Sequence, residues 1–465
     1  MADSEMREEG YTGRSGVKGR DWTKGSILRN LLLLSWPIII TNGSRIIGPT
    51  IDLLWVGRLG AASIAGVGIS SMAVHAVMAG RMGISTGVRA MIARSIGAGD
   101  AEGANHIAQQ GLVISAAYGI IMAVIGIFFA EQILGLFGVE ADVVREGAAY
   151  MRIAFAGSAA MSFLQLTENL MQASGDSVTP MRISIIYRLF HVGFVPFLIF
   201  GWWIFPRLGV SGAALAGVIS NGLGMVLGLW ILFTGRSRLR LTLRGFNLDF
   251  TILRRIIRIG VPSAVMMSER SFSRLLLTWF MTPFGTYAVA AHTLIERIVR
   301  LITMSGIGLG RGAAVLVGQN LGAQQPERAE KSAWLAVGFA EGIMVVFSVA
   351  VLLWPGSLIR IFNSEPGLVE LTSVFLRIGV VGYSVYSIDQ ILQLCLGGAG
   401  DTLPPMLITL LSLWVVLMPL AFFLSRFTDL GVYGVRWAMV IGIITGVIAY
   451  VTYFRMGRWK YKRIL

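Results

Sequence analysis

Apolar runs of about 20 residues recur along the whole chain, separated by short polar or glycine-rich stretches. Twelve can be counted, starting near residues 31, 61, 105, 145, 181, 209, 256, 286, 332, 367, 405 and 431. Each is long enough, as an α-helix, to cross the ~30 Å hydrocarbon core of a bilayer. The polar and special positions carry a second pattern. Residues 37 to 181 recur 225 positions later without a gap: Pro37 answers to Pro262, Gly60 to Gly285, Gly97 to Gly322, Phe137 to Phe362, Glu140 to Glu365 and Arg152 to Arg377. Gly175-Asp176-Ser177 with Pro180-Met181 answers to Gly400-Asp401-Thr402 with Pro405-Met406. Shared Leu and Val mean little in apolar sequence, whereas Pro, Gly, Arg and Asp held in one register mean duplication. Six runs fall in each copy, and an even number of crossings returns the chain to its starting side. The pattern predicts an all-α integral membrane protein, with twelve transmembrane helices in two parallel six-helix lobes related by a pseudo-two-fold axis along the membrane normal.

Composition agrees. The chain is 55% hydrophobic and 14% charged, with mean hydropathy +0.71, where soluble domains carry about a quarter charged residues. The net charge of +14 could suggest nucleic acid, but its distribution excludes that partner. Basic residues gather in the N-terminal tail (Arg7, Arg14, Lys18, Arg20, Lys24, Arg29), between the copies (Arg236, Arg238, Arg240, Arg244, Arg254, Arg255, Arg258) and at the end (Arg455, Arg458, Lys460, Lys462, Arg463). All three segments fall on one side of a twelve-helix topology. The opposite loops carry Glu131, Glu140, Asp142, Glu146, Glu365 and Glu370. Positive-inside bias therefore puts both termini in the cytoplasm of a plasma-membrane protein. The divisions expected are a tail at 1–30, an N-lobe at 31–234, an Arg-rich linker at 235–255, a C-lobe at 256–456 and a basic tail at 457–465. The polar first ~26 residues give no cleavable signal peptide. One cysteine, Cys395, allows no intrachain disulfide, and no two of the four histidines share a helix at metal-binding spacing. Glycines 306, 308, 310 and 312 lie inside an apolar run without a preceding strand, so they read as helix-packing positions rather than a nucleotide loop. No enzyme chemistry, cofactor or metal is expected.

Two kinds of loop follow apolar runs. Ile96-Gly97-Ala98-Gly99-Asp100 and Leu321-Gly322-Ala323-Gln324 end the second run of each copy, and the Gly-Asp-Ser/Thr loops end the fourth; both read as helix-terminating turns. Val317-Gly318-Gln319-Asn320-Leu321-Gly322-Ala323, followed by Pro326-Glu327-Arg328-Ala329, resembles the signature loop of the multidrug and toxic compound extrusion (MATE) family. Asp52 with Val56-Gly57-Arg58-Leu59-Gly60 resembles that family's first-helix motif, and Gly175-Asp176 through Pro180-Met181 its fourth-to-fifth-helix loop. The resemblance spans about residues 30 to 455. It implies a secondary antiporter with a cavity between two lobes, expelling organic compounds in exchange for protons or sodium ions. The major facilitator architecture also has six plus six helices, but its charged loop motif is missing between Ala93 and His106.

Ionisable residues inside apolar runs are costly in hydrocarbon and by default face a cavity or a partner. In the first copy these are Arg45, Asp52, Glu168, Arg188 and His191. Asp52 matches the acidic residue that the family uses for cation coupling. Pro49 cannot donate to the Arg45 carbonyl and so frees an acceptor one turn before it. The alternative is that Asp52 pairs with Arg45 or Arg188 for structure alone. The chain departs from the family by placing Glu168 and His191 where related proteins have Asn, which rebuilds the expected coupling site as Asp52, Glu168 and His191. Gln165, Glu168 and Gln172 share a helical face, matched in the second copy by Tyr386, Asp389, Gln390 and Gln393; these, with Tyr187 and Arg188, are expected to line a substrate cavity. Glu269 and Asp389 fall near, but not on, acidic positions of some subfamilies. Arg270, Arg274 and the series His292, Glu296, Arg300 make the second copy arginine-rich. Glu296 is either part of the pathway or paired with Arg300. These arginines favour an acidic or zwitterionic substrate, or a lipid-linked intermediate, over a simple organic cation. An imidazole in place of an oxygen-rich pair favours the proton over sodium, a hard ion that wants several oxygen ligands. The expected partners are the lipid bilayer and a small-molecule substrate, and a monomer is expected. A non-coupled channel is the remaining reading, without a filter-like ring to support it.

Overall fold

The computed structural model describes residues 20–464 apart from 137 and 139, without the side chains of 61, 62, 72, 73, 75–78 and 141. The tail residues Arg7, Arg14 and Lys18, and Phe137 of the repeat, lie outside the described residues. In the first copy the helices are α1 (Ile27–Val56), α2 (Ala61–Gly97), α3 (Ala101–Gly135), α4 (Ala141–Ala156), α5 (Ser158–Ser174), α6 (Val178–Phe200) and α7 (Val210–Thr234). In the second they are α8 (Phe250–Met281), α9 (Thr286–Gly322), α10 (Pro326–Leu353), the short α11 (Pro355–Arg360), α12 (Pro366–Ala399), α13 (Leu403–Leu410), α14 (Met418–Arg426) and α15 (Val432–Arg455). Their starts lie within a few residues of the twelve apolar runs. Two runs are interrupted. The fourth is broken at Gly157 into α4 and α5, where its repeat partner α12 continues through Gly382; α13 and α14 are joined by a π-helical stretch, Leu411–Leu417. Among the described residues nine helical stretches are long and apolar enough to cross a membrane by themselves. Of the others, α4 and α5 are each too short alone, α8 carries charged residues along most of its length, and α2 has an uncharged first half followed by Arg81, Arg89 and Arg94.

The chain forms two compact units, one of Ile40–Ala264 with the segment ending at Thr23, the other of Lys24–Ile39 with Val265–Ile464. The division thus falls inside α1 and α8, the first helix of each repeat, rather than at the linker. Repeat-equivalent glycines explain it. A Cβ on Gly83 would come 2.3 Å from the Gly260 carbonyl oxygen of α8, and one on Gly87 2.5 Å from that of Ile256. Their counterparts Gly308 and Gly312 on α9 receive Ile39 and Ser35 of α1 at 2.2 and 2.3 Å. Each second helix therefore presents a Gly-xxx-Gly groove to the opening turns of the other repeat's first helix. In lipid, where apolar side chains gain nothing by leaving the tails, close backbone packing of this kind is a main source of helix association.

The turns follow the sequence. Gly175 (φ 93°) and Gly400 (φ 79°) end α5 and α12 in the left-handed region, and the Asp176 and Asp401 amides bond back to Met171 and Leu396 at 2.9 Å each. Asp176 then accepts from the Thr179 amide (3.0 Å) and the Ser237 hydroxyl (2.8 Å); Asp401 accepts from Tyr453 and lies 3.2 Å from Lys462 Nζ. These loops are locked turns. Gly99 (φ 76°) corresponds to Gln324 (φ 60°), so the second copy holds a glutamine where the first uses the residue suited to that conformation.

The repeat continues past residue 181 at a shifted offset. Gly209-Val-Ser-Gly212 opens α7 and Gly431-Val-Tyr-Gly434 opens α15, with φ of 56° and 50° at the leading glycines. A Cβ on Gly212 would lie 2.3 Å from the Leu198 carbonyl oxygen of α6, a backbone atom that cannot swing aside. Gly212→Val should accordingly destabilise the first unit by about 1–3 kcal/mol. A thermal-unfolding midpoint in detergent, read against Gly217→Ala where only a His191 ring atom at 3.9 Å is near, checks this.

Candidate functional site

In the first unit α1, α5 and α6 bring the intramembrane charges together, in a pairing the sequence did not settle. Arg45, Gly48 and Asp52 recur at three- and four-residue spacing and share one face of α1, and α1 stays helical through Pro49. His191 of α6 meets Asp52, with Nε2 2.9 Å from Oδ1; the side chains are 5% and 14% exposed. Arg45 instead donates to Glu168 of α5 at 2.6 Å, with Glu168 only 4% exposed. Among the described residues Asp52 thus forms its ion pair with His191 and not with Arg45 or Arg188. The expected three-residue site resolves into two adjoining pairs, Asp52–His191 and Arg45–Glu168, because an arginine one turn before Gly48 captures the nearer carboxylate. Gly48 makes room between them, since a Cβ there would fall 2.7 Å from Arg188 Nη1 and 3.7 Å from the His191 ring. Tyr187 is buried, and the Arg188 guanidinium stands 4.9 Å over its ring. Ser44 and Ser184 join α1 to α6 by a 2.8 Å hydrogen bond. Gln165 donates to Ser85 of α2 at 3.2 Å, and Gln172 is buried.

Two residues of this unit were overlooked in the sequence. Arg81 of α2 is 8% exposed, its Nε lacks a hydrogen-bond partner, and no ion pair holds it among the described residues. It interacts electrostatically with Arg45 and Glu168, so two guanidinium groups lie about one buried carboxylate in the first unit. Tyr150 of α4, bonded to Ser71, is near enough to feel the Asp52 charge. The rule that flagged Arg45 and Arg188, a charge inside an apolar run, applies equally to Arg81.

In the second unit Arg270 of α8 donates to Asp389 of α12 at 3.1 Å. Arg274 is exposed and turns back along its own helix, Nε donating to the Arg270 carbonyl at 3.1 Å. Both guanidinium groups are thus engaged within the unit. Tyr386 adjoins the Arg270–Asp389 pair. Glu269 is 7% exposed, with the Trp414 indole as the hydrogen-bonding group beside its carboxyl. Gln390 is buried with Oε1 unpartnered among the described residues, and Gln393 donates to Met266 Sδ at 2.9 Å. Glu296 forms no ion pair with Arg300 among the described residues. It lies instead near Arg436 of α15, which is 2% exposed, stands 4.8 Å over the Phe375 ring and leaves Nε and Nη2 without hydrogen-bond partners among the described residues. Buried His292 adjoins it. Arg436 too was legible as a charge inside an apolar run and was not singled out. The two copies share one element, since Arg270 is the repeat equivalent of Arg45 and each donates to a carboxylate of the fourth run. Asp389 stands four residues before the position equivalent to Glu168, and the other buried charges fall at non-equivalent positions.

A duplicated six-helix membrane unit with buried, paired charges in each copy defines a membrane transporter. The MatE family model matches residues 37–197 and 262–423, one match per repeat, and the chain belongs to this family of multidrug efflux transporters. Among curated relatives it is 26% identical to the probable multidrug resistance protein YoeA of Bacillus subtilis, over 95% of this chain and 96% of that one. It is 25% identical to the probable multidrug resistance protein NorM of Thermotoga maritima, over 94% of each. Among solved structures, a MATE transporter in the bent conformation superposes with TM-score 0.87 at 23% identity, covering 96% and 97% of the two chains. A MOP superfamily transporter from Pyrococcus furiosus, described by a binding pocket of reverse polarity that suggests a different function, superposes with TM-score 0.84 at 22% identity, covering 96% and 98%. These likenesses establish the fold and the twelve-helix architecture.

Proposed function

We propose that the chain is a proton-coupled antiporter that exports small organic compounds by alternating access, acting as a monomer in the plasma membrane with both termini cytoplasmic. The observation that supports this reading is the buried Asp52–His191 pair. A carboxylate and an imidazole at 2.9 Å in the interior of a membrane helix pair can take up and release a proton with little rearrangement, and neutralising Asp52 removes a buried charge. Sodium has weaker support here, because one partner of the carboxylate is a nitrogen and Glu168 is already bonded to Arg45. The chain works as a carrier and not as an enzyme or a channel. Purified protein in liposomes should extrude a fluorescent organic substrate when an inward proton gradient is imposed at equal sodium on both sides. Export that follows a sodium gradient at fixed pH, with no response to a proton gradient, would refute the assignment.

A second reading concerns the cargo. Arg81 and Arg188 supply cationic groups in the first unit that form no ion pair among the described residues, which suits a substrate bearing an anionic or zwitterionic group better than a simple organic cation. The Pyrococcus furiosus relative, with its reverse polarity of binding pocket, is consistent with departures of this sort within the fold. The support lies in the first unit, not in Arg270 and Arg274.

A further inference from the structure

The linker between the repeats is built, and what it is built to present is a mixed basic and apolar surface. Its backbone is pinned to α3 over a short stretch. Asn105 Nδ2 donates to the Thr242 hydroxyl at 3.1 Å and its Oδ1 accepts from the Thr242 amide at 2.9 Å. Gln109 donates to the Thr242 carbonyl at 2.7 Å, and Gln110 to the Asn247 carbonyl at 2.7 Å. Gln110 Oε1 accepts from the Asp249 amide at 3.2 Å, so both ends of one side chain are used. Asp249 caps α8 by accepting from the Thr251 and Ile252 amides at 2.8 and 3.2 Å, and lies 3.5 Å from His106. Those amide bonds, the Ile252 one first, hold the Asp249 carboxyl below the usual range. The cap is therefore complete above that range and is lost only as pH falls through the depressed value.

This pinning sorts the side chains. Leu239 and Leu241 are buried at 3% and 1%, while Arg240, Leu243, Arg244, Phe246, Leu248 and Phe250 are exposed. Arg254, Arg255 and Arg258 continue the exposed basic face onto the first turns of α8, and Arg236 stacks over the half-exposed Trp230 ring at 4.2 Å. Positive-inside bias accounts for arginines in this segment, but not for Leu243, Phe246 and Phe250 standing 55%, 47% and 73% exposed among them on an immobilised backbone. The segment runs from the end of α7 at Thr234 to the start of α8 at Phe250. It lies at the level where membrane helices end, where phospholipid phosphates and the first acyl carbons are the available partners.

We infer that residues 236–258 form a binding shelf for anionic phospholipid, with the arginines taking headgroup phosphate and Leu243, Phe246 and Phe250 entering the acyl boundary. Clustered basic residues directly beside a membrane helix are drawn to anionic headgroups, and apolar side chains add the component that a free phosphate cannot satisfy. Carboxylates such as those of Glu5, Glu8 and Glu9 would compete for the arginines alone and leave the exposed rings uncovered.

Native mass spectrometry of the full-length protein in detergent, titrated with phosphatidylglycerol or phosphatidylcholine, tests this. The wild type should retain phosphatidylglycerol preferentially. A variant with Arg240, Arg244, Arg254 and Arg255 all changed to Gln should lose retention by on the order of tenfold. Arg458→Gln with Arg463→Gln, in the other basic segment, should leave it unchanged. Leu243→Ser with Phe246→Ser should also weaken retention, and excess inorganic phosphate should not displace the lipid from the wild type. No preference in the full chain, as expected if the N-terminal acids hold the arginines, would overturn the proposal. So would equal losses from the linker and tail variants, or displacement by inorganic phosphate alone. Retention does not depend on transport, so this result stands apart from the coupling experiment.

Discussion

Asp52→Asn is expected to reduce export driven by a proton gradient by on the order of a hundredfold or more, the scale on which loss of a proton-transfer group is felt, while leaving substrate binding measurable. The expectation rests on the 2.9 Å pairing with His191 and on the burial of both side chains. Asparagine keeps the size and one hydrogen-bond acceptor of aspartate but cannot cycle between a charged and a neutral state. His191→Gln should be milder. It keeps a hydrogen-bonding partner near the Asp52 carboxylate but removes the second protonatable group, so the pH profile of export should shift more than its maximum falls. Measurements in liposomes over a range of internal and external pH, with binding followed separately by tryptophan fluorescence, distinguish the two effects. If Asp52→Asn still responds to the proton gradient, coupling resides elsewhere, and buried Glu269 becomes the next group to replace.

Glu168→Gln is expected to lower the stability of the first unit by about 3 kcal/mol, because it strands the Arg45 guanidinium beside Arg81 without its carboxylate. A buried ion pair gains little net stability over an apolar pair, since desolvation offsets the attraction, but breaking one partner leaves an uncompensated charge. The double substitution Arg45→Met with Glu168→Leu should therefore recover most of the loss. Thermal unfolding of the purified protein in detergent reads both. Wild-type stability in Glu168→Gln would show that the pair is not a structural tie, and failure of the double variant to recover would show that the two residues have separate roles.

Asp52, Glu168, Arg188 and His191 were found because a charge in an apolar run has no bland explanation in hydrocarbon. The same test, applied evenly, would have found Arg81 and Arg436. Which charge meets which was beyond it: Arg45 lies seven residues before Asp52 on one face of α1, and spacing alone cannot say that it reaches α5 instead. The partners of Arg270 and Arg274 were beyond it for a related reason: Asp389 comes from a helix more than a hundred positions away, and the Arg270 carbonyl from the helix's own backbone.

The sequence by itself determined the class, the helix count and the duplication. Hydrocarbon allows only helices or closed barrels to span it, so apolar length translates directly into crossings, and a gap-free register of Pro, Gly and Asp survives any amount of exchange among apolar residues. It also marked the turns, since Gly175 and Gly400 stand where a left-handed residue must end a helix. Tertiary structure decided the rest. It drew the division between compact units through α1 and α8, because Gly83, Gly87, Gly308 and Gly312 admit backbones that larger residues would exclude. It also chose the charge pairs. Those choices depend on which helix faces meet, and faces meet according to side-chain volume and backbone approach summed over both helices, a property no single run of sequence contains.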